Sequence, residues 1–244
     1  MKIVILAGGK GIRGKPFTDY FPKAMIPVKG RPLIDYIVKY VSSFSFISEI
    51  IILADYNGLG NQIRRYFEER KAVRNKKIRF VQDSNSGTGG DLVHLFADLR
   101  HERDFILWFV DNFCAIDLGK MYKFYKQKKS IACIATRRHR KEETGYARVK
   151  DGLVEEFKEK PIITMPMAEC LGIYILDTKI LKTIKLKNKK KKELNLSFDV
   201  LQDLVKKEIV SAFDIGKTQW IDIESPNKVE RNQATIKEII RKMN

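Results

Sequence analysis

Between Leu6 and Lys23 the chain reads LAGGKGIRGKPFTDYFPK: Gly8, Gly9 and Gly11 follow a short apolar strand, and two cations, Arg13 and Lys23, follow those glycines. Glycines let backbone amides approach a ligand closely, and amides combined with cations suit phosphate. Three phosphate loops can be written from these letters. Gly9, Gly11 and Gly14 spell G-x-G-x-x-G, with Asp35 near the distance at which a dinucleotide fold keeps its ribose-binding acid. That loop opens a helix, whereas Pro16, Pro22 and Pro27 follow here, and no helix survives such a density of fixed φ angles and missing donors. Gly9 to Lys15 also fits G-x-x-x-x-G-K, but Pro16 stands where that loop needs a hydroxyl on magnesium. What remains is a long irregular loop whose amides and two cations converge on phosphates.

Two further segments carry chemistry. Phe105 to Phe113 reads FILWFVDNF, an apolar strand ending on Asp111, and a carboxylate at such a tip suits Mg2+, which takes a few hard oxygens and leaves its other positions to water and phosphate. Gln82 begins the run Gln82-Asp83-Ser84-Asn85-Ser86-Gly87-Thr88-Gly89-Gly90. An amide offers a donor and an acceptor together, which fits the edge of uracil or thymine, and Gly87 permits close backbone approach. The same letters also read as a strand-to-helix turn capped by Thr88.

Read onward through Pro22-Lys23-Ala24-Met25-Ile26-Pro27-Val28, Gly30, Pro32 and Leu33, the loop resembles the signature of the sugar-phosphate nucleotidyltransferases, LAGG-x-GTR-L-x-P-L-T followed by PK-x-M-x-PV-x-G-x-PL. Gly145-Tyr146-Ala147-Arg148-Val149, Glu159-Lys160-Pro161, Leu171-Gly172-Ile173-Tyr174 and Trp220-Ile221-Asp222-Ile223 are similar to later segments of that family, in the same order. The resemblance implies that Leu6, Ala7, Gly8, Gly9, Gly11, Gln82, Gly87 and Thr88 bind a nucleotide and that Arg13 and Lys23 are catalytic. It further implies that Asp111 and Asp222 hold Mg2+, and that Gly145, Glu159, Lys160 and Gly172 bind a sugar phosphate. The implied reaction is in-line attack of a sugar 1-phosphate on the α-phosphorus of a nucleoside triphosphate, UTP or dTTP being favoured, to give an NDP-sugar and pyrophosphate. The nucleophile is already ionised at neutral pH and needs no general base, so His94, His101 and His139 read as structural. GTP-using mannose-1-phosphate guanylyltransferases and CTP-using relatives share most of these segments. Ile12 for the usual Thr, Gly14 for Leu, Val110 for Gly and Glu224 for Gly depart from the pattern. Those departures motivate an alternative of another class, a regulatory subunit that holds a nucleotide sugar without turning it over, and Val110 is expected to crowd the metal.

These residues need a scaffold that brings them together. Short apolar strands at Lys2 to Ala7, Glu49 to Ala54, Ile78 to Gln82, Phe105 to Val110 and Ile131 to Thr136 alternate with helical periodicity at Pro32 to Ser43, Gly60 to Arg70, Gly89 to Leu99 and Leu118 to Lys128. That is an α/β pattern, with a mostly parallel sheet covered by helices on both faces. The resemblance specifies a Rossmann-like three-layer αβα sandwich with a mixed, mostly parallel sheet. Ligands of such sheets sit beyond the carboxyl ends of the strands, where Gly8, Gln82 and Asp111 all fall. Past Thr136 the chain predicts a hairpin, Ala147 to Val149 and Leu153 to Lys158 around Lys150-Asp151-Gly152, and a strand from Cys170 to Leu176. Helices are predicted from Phe198 to Lys207 and from a Ser225 cap with Pro226 at its first position to Lys242.

The 244 residues, 44% hydrophobic, are expected to form one nucleotidyltransferase domain over 1–244, with a nucleotide half 1–136 and a sugar-phosphate half 137–244. No apolar run reaches membrane-helix length, and the first strand, Ile3 to Ala7, is too short and too soon followed by glycines to be a signal peptide, so a cytoplasmic protein without membrane contact is expected. Cys114, Cys133 and Cys170 are odd in number and widely spaced, which reads as buried thiols. A net charge of +17 favours anionic partners, but the run Lys187 to Lys192 reads as a solvated loop. No nucleic-acid motif is visible, and no nucleic acid is expected as a partner. Self-association into a homo-oligomer stays open.

Overall fold

The computed structural model describes residues 1–9, 11–70, 76–142, 144–206 and 209–244. In chain order the strands are β1 Lys2–Leu6, β2 Pro27–Val28, β3 Arg31–Pro32, β4 Glu49–Ala54, β5 Lys77–Gln82, β6 Asp104–Phe109, β7 Asn112–Cys114, β8 Ala132–Lys141, β9 Tyr146–Lys150, β10 Leu153–Lys158, β11 Ile162–Asp177, β12 Val210–Asp214 and β13 Trp220–Asp222. The helices are α1 Leu33–Ser42, α2 Asn61–Arg70, α3 Gly87–His94, α4 Phe96–Leu99, α5 Leu118–Lys128, α6 Ile180–Asn188, α7 Gln202–Val205, α8 Pro226–Arg231 and α9 Gln233–Met243. A π-helical turn, Leu196–Leu201, leads into α7.

The main sheet has the order β12-β8-β11-β6-β1-β4-β5, with every neighbouring pair parallel except those that β11 makes with β6 and β8. Alternation within β1 explains the layers. Ile3 and Ile5 point into a core shared with α1, α2, α5 and α9, while Val4 points to the opposite face and a core built by α3, α4, α6 and α7. Both faces of the sheet are therefore buried, as the Rossmann-like sandwich requires. No described helix is long and apolar enough to cross a membrane.

Several expectations need correction. The single helix predicted after Ser225 breaks at Asn232, whose side chain donates to the Lys228 carbonyl (3.0 Å) while Gln233 donates to that of Val229 (2.9 Å). Such side-chain bonds compete with the helical ladder. The helix predicted over Gly89 to Leu99 begins two residues earlier and divides at Leu95. That from Phe198 starts as a π-helical turn at Leu196, and Lys207, its predicted end, lies outside the described residues. Lys187 belongs to α6 rather than to a loop and pairs with Asp203. Cys114 and Cys133 are buried, but Cys170 is exposed, because β11 extends far beyond its predicted start. That extension pairs with β8 and carries the β9–β10 hairpin, on which Val149, Leu153, Val154 and Phe157 are exposed.

The start of α3 shows why its glycines are needed. Gly87 has φ +79°, and a Cβ there would lie 2.7 Å from the carbonyl oxygen of Leu194. That carbonyl accepts from the amides of Gly89 (2.8 Å) and Gly90 (3.3 Å), and Leu194 donates back to the carbonyl of Ser86 (2.8 Å). The segment 194–196 thus caps the orphan amides of α3. Gly87→Ala combines backbone strain with this collision and should cost about 1–3 kcal/mol. Urea unfolding should show a lower midpoint at unchanged slope; an unchanged midpoint would mean that the 194–196 segment yields freely.

Candidate functional site

The loop after β1 is shaped by Thr18, whose buried side chain fills the space that Cβ atoms at Gly11 and Gly14 would need (2.8 and 2.7 Å to its Cγ2). Its hydroxyl donates to the Gly11 carbonyl at 2.6 Å, and Gly11 adopts the left-handed conformation at φ 60°. The loop winds into three short 3₁₀ turns, Ile12–Gly14, Phe17–Asp19 and Lys23–Met25, and the first and last each present one of the predicted cations. Lys23 Nζ donates to Asp111 Oδ2 at 2.8 Å, with both side chains largely buried. Arg13 pairs with Glu224 and lies 3.9 Å from Asp222 Oδ2.

Asp111 and Asp222 are brought together by the pairing of β7 with β13, which sets Asp222 opposite Asn112, and by the Ile223 amide donating to the Asp111 carbonyl at 2.8 Å. Asn112 is buried and uses both ends of its amide. Its Nδ2 donates to Asp111 Oδ1 (2.7 Å) and the Phe109 carbonyl (3.3 Å), and its Oδ1 accepts from the Gly172 amide (3.0 Å) and Trp220 Nε1 (2.9 Å). Gly172 is glycine because a Cβ there would sit 2.3 Å from that amide nitrogen. Val110, next to Asp111, is buried in the core on the face of the sheet that holds Ile3, Ile5 and Trp108.

The residues expected to bind a nucleotide make contacts within the protein. Gln82 Oε1 accepts from the Tyr56 amide (2.9 Å), while its Nε2 donates to Asp55 Oδ1 (2.9 Å) and the Asp83 carbonyl (3.2 Å). Both amide hydrogens are used, leaving acceptor capacity on Oε1. Thr88 accepts from the Leu196 amide at 3.0 Å, so Thr88 and Gly87 clamp α3. Gly8 is overlaid by the Asp83 carboxylate, 1.8 Å from where its Cβ would be, whereas Gly9 has open space beside it. Leu6 ends β1, and Ala7 extends it by donating to the Leu53 carbonyl at 2.7 Å. Glu159 and Lys160 are exposed at the foot of the hairpin, with Glu159 Oε2 2.9 Å from the Cβ position of Gly145. Among the described residues, no hydrogen bond or ion pair joins them to the carboxylates.

Asp55, Asp83 and Asp91, to which the sequence reading gave no role, contact Gln82, the Gly8 backbone and Ser84 respectively. Asp55 follows β4, so the rule that sites gather at the carboxyl ends of strands could have found it. Asp91 is buried, accepts from the amide (3.1 Å) and hydroxyl (2.6 Å) of Ser84, and is pushed up to about 6, chiefly by burial.

Asp222 is also pushed up to about 6, first by burial and next by the Asp111 carboxylate, while Lys23 pulls the other way. Its Oδ1 is buried without a hydrogen-bond partner. An orphaned carboxylate oxygen repelled by a second carboxylate suits a hard divalent cation such as Mg2+, which takes one or two carboxylates and keeps its remaining positions for water and phosphate. Among the described residues, no group of three or more His, Cys, Asp or Glu forms a metal cage.

A family model described as nucleotidyl transferase matches residues 2–238. D-glycero-alpha-D-manno-heptose 1-phosphate guanylyltransferase of Aneurinibacillus thermoaerophilus is 26% identical over 245 residues, covering 98% of this chain and 100% of its own. UTP–glucose-1-phosphate uridylyltransferase of Synechocystis sp. is 25% identical over 240 residues, covering 91% of this chain and 60% of its own. The chain spans from 52% to 61% of the length of several curated relatives that it matches. A Bacillus anthracis structure described as a glucose-1-phosphate thymidylyltransferase in complex with a sucrose superposes with TM-score 0.75 at 22% identity, covering 98% of this chain and 96% of its own, a likeness of fold.

The raised Asp222 carboxyl binds its proton more tightly folded than unfolded, so its charge opposes folding. The penalty is absent below about pH 4, where the carboxyl is protonated in both states, and complete above about pH 6. Asp222→Asn should therefore raise the stability of the metal-free protein at pH 7.5 by on the order of 1–2 kcal/mol, a gain that vanishes below about pH 4. Thermal melts in EDTA at both pH values check this, and an equal gain at both would remove the electrostatic account.

Proposed function

Since the chain belongs to the nucleotidyl transferase family, we propose that it transfers a nucleotidyl group from a nucleoside triphosphate to a sugar 1-phosphate, releasing pyrophosphate. The observation that carries this reading is the convergence of Arg13, Lys23, Asp111 and Asp222 in one ion-paired cluster. Phosphoryl chemistry asks the protein for placement and charge rather than for proton transfer. Lys23 and Arg13 exchange their carboxylate partners for phosphate oxygens and balance the charge that moves toward the departing pyrophosphate. Asp111 and Asp222 would hold Mg2+, which supplies further neutralisation of the α-phosphate when bound. The hinge between substrates is the Asn112 clamp, which connects the carboxylates to Gly172 on the strand that leads to Glu159 and Lys160. Residues 1–244 then act as one domain, because the half from 137 onward supplies all of β11 and β12, and the end of β8, to the common sheet.

UTP or dTTP remains the favoured donor, as the free lone pair of Gln82 suits the N3–H of uracil or thymine. The N1–H of guanine offers the same donor, so GTP is the second reading. Pyrophosphate release over a panel of triphosphates and sugar 1-phosphates tests both. Lys23→Ala and Arg13→Ala should each lower turnover by about 10²-fold or more. Near-normal turnover in Lys23→Ala would end the assignment, and nucleotide-sugar binding with no release from any pair would point to a regulatory subunit.

A further inference from the structure

We propose that Glu224 is a resident counter-anion for Arg13, occupying its guanidinium until a polyphosphate displaces it. The proposal rests on the nucleotidyltransferase reading only for the identity of the natural displacing ligand.

Arg13 does not point freely into solvent. It pairs with Glu224 and stays 3.9 Å from Asp222, so its charge is directed at the 222–224 segment. The backbone makes this approach possible. A Cβ at position 14 would fall 2.9 Å from the carbonyl oxygen of Glu224, so any side chain there would push the loop off that segment. Gly14 and Glu224 are two of the positions at which this chain departs from the pattern of the family it resembles, and the structure puts them in contact. One departure brings a carboxylate; the other strips the loop bare enough to reach it.

The strength of the pair fixes its role. Arg13 is 65% exposed and Glu224 28%, and ion pairs this open to water are weak and exchange readily. Glu224 is thus a placeholder and not a lock. A triphosphate with several charges displaces it, yet binds more weakly than it would to a free guanidinium, and the returning carboxylate assists pyrophosphate to leave. Glu224 acts through Arg13, which makes it a positioning residue.

Calorimetric titration of the full chain with inorganic tripolyphosphate in EDTA tests this without a metal or a base. Glu224→Gln and Glu224→Gly should each tighten binding about 3- to 10-fold, whereas in an Arg13→Ala background the same changes should alter Kd less than about twofold. Equal affinity of wild type and both variants overturns the proposal. So does the same tightening in the Arg13→Ala background, which would mark a general field effect. Weakened Mn2+ binding with an unchanged EDTA titration would make Glu224 a metal ligand and overturn it too. With a substrate pair that turns over, Glu224→Gln should lower KM for the triphosphate without raising kcat. The expected tripolyphosphate pattern in a chain that releases no pyrophosphate with any pair would leave the counter-anion standing and remove the nucleotidyltransferase reading.

Discussion

The amide of Asn112 is the joint on which the candidate site hangs. It is buried, and it makes four hydrogen bonds, to Asp111, Phe109, Gly172 and Trp220. These partners come from β6 and the turn after it, from β11 and from β13, three stretches far apart in sequence. An amide can satisfy all of them because it carries two donors and an acceptor with two lone pairs, and a carboxylate or an apolar side chain of similar size cannot. A buried group so fully engaged is costly to disturb, since each lost partner leaves a desolvated polar atom behind. The indole of Trp220 is fixed from its other side by Arg137, whose guanidinium lies 4.4 Å from the ring centroid and is itself held by Glu169. Support for Asp111 therefore extends well beyond its immediate neighbours.

Around that joint the charges neutralise one another. Lys23 takes Asp111, Arg13 takes Glu224, and Asp222 is left between them with one oxygen unpartnered and its ionisation disfavoured. Under the proposed reading, a phosphate entering this cluster would take over cations already paired with carboxylates. The electrostatic cost is concentrated on Asp222, the residue with the fewest partners. Concentrating unfavourable charge on one carboxylate is a known pattern of functional sites, in which local stability is given up for binding.

Much of this was readable in the sequence, and the reasons differ by residue. β4 and α5 have their predicted bounds: five consecutive apolar residues follow Glu49 in β4, and the Asp117 side chain accepts from the Lys120 amide at the start of α5. The loop's cations and the aspartates at strand ends came from motif order, and the fold brings them within ion-pairing reach. What could not be read were pairings between distant segments. Gly87 and Thr88 resemble nucleotide contacts, yet here they dock on residues 194–196, and no local pattern announces that partner. Glu224 was visible as an oddity, but its meaning depended on Gly14, more than two hundred positions away.

The register of β11 has a mechanical meaning. Against β8 it shifts twice, between Thr164 and Glu169 around Pro166, and between Cys170 and Tyr174 around Gly172. Such irregularities bend a strand and free its backbone groups from the ladder. β11 is then a jointed rod rather than a stiff one. Its outer joint lies between the exposed hairpin arm and the sheet, while its inner joint is pinned by Asn112. A displacement of the arm would meet Pro166 before it reached Gly172, whose bond to Asn112 ties the inner part of β11 to Asp111.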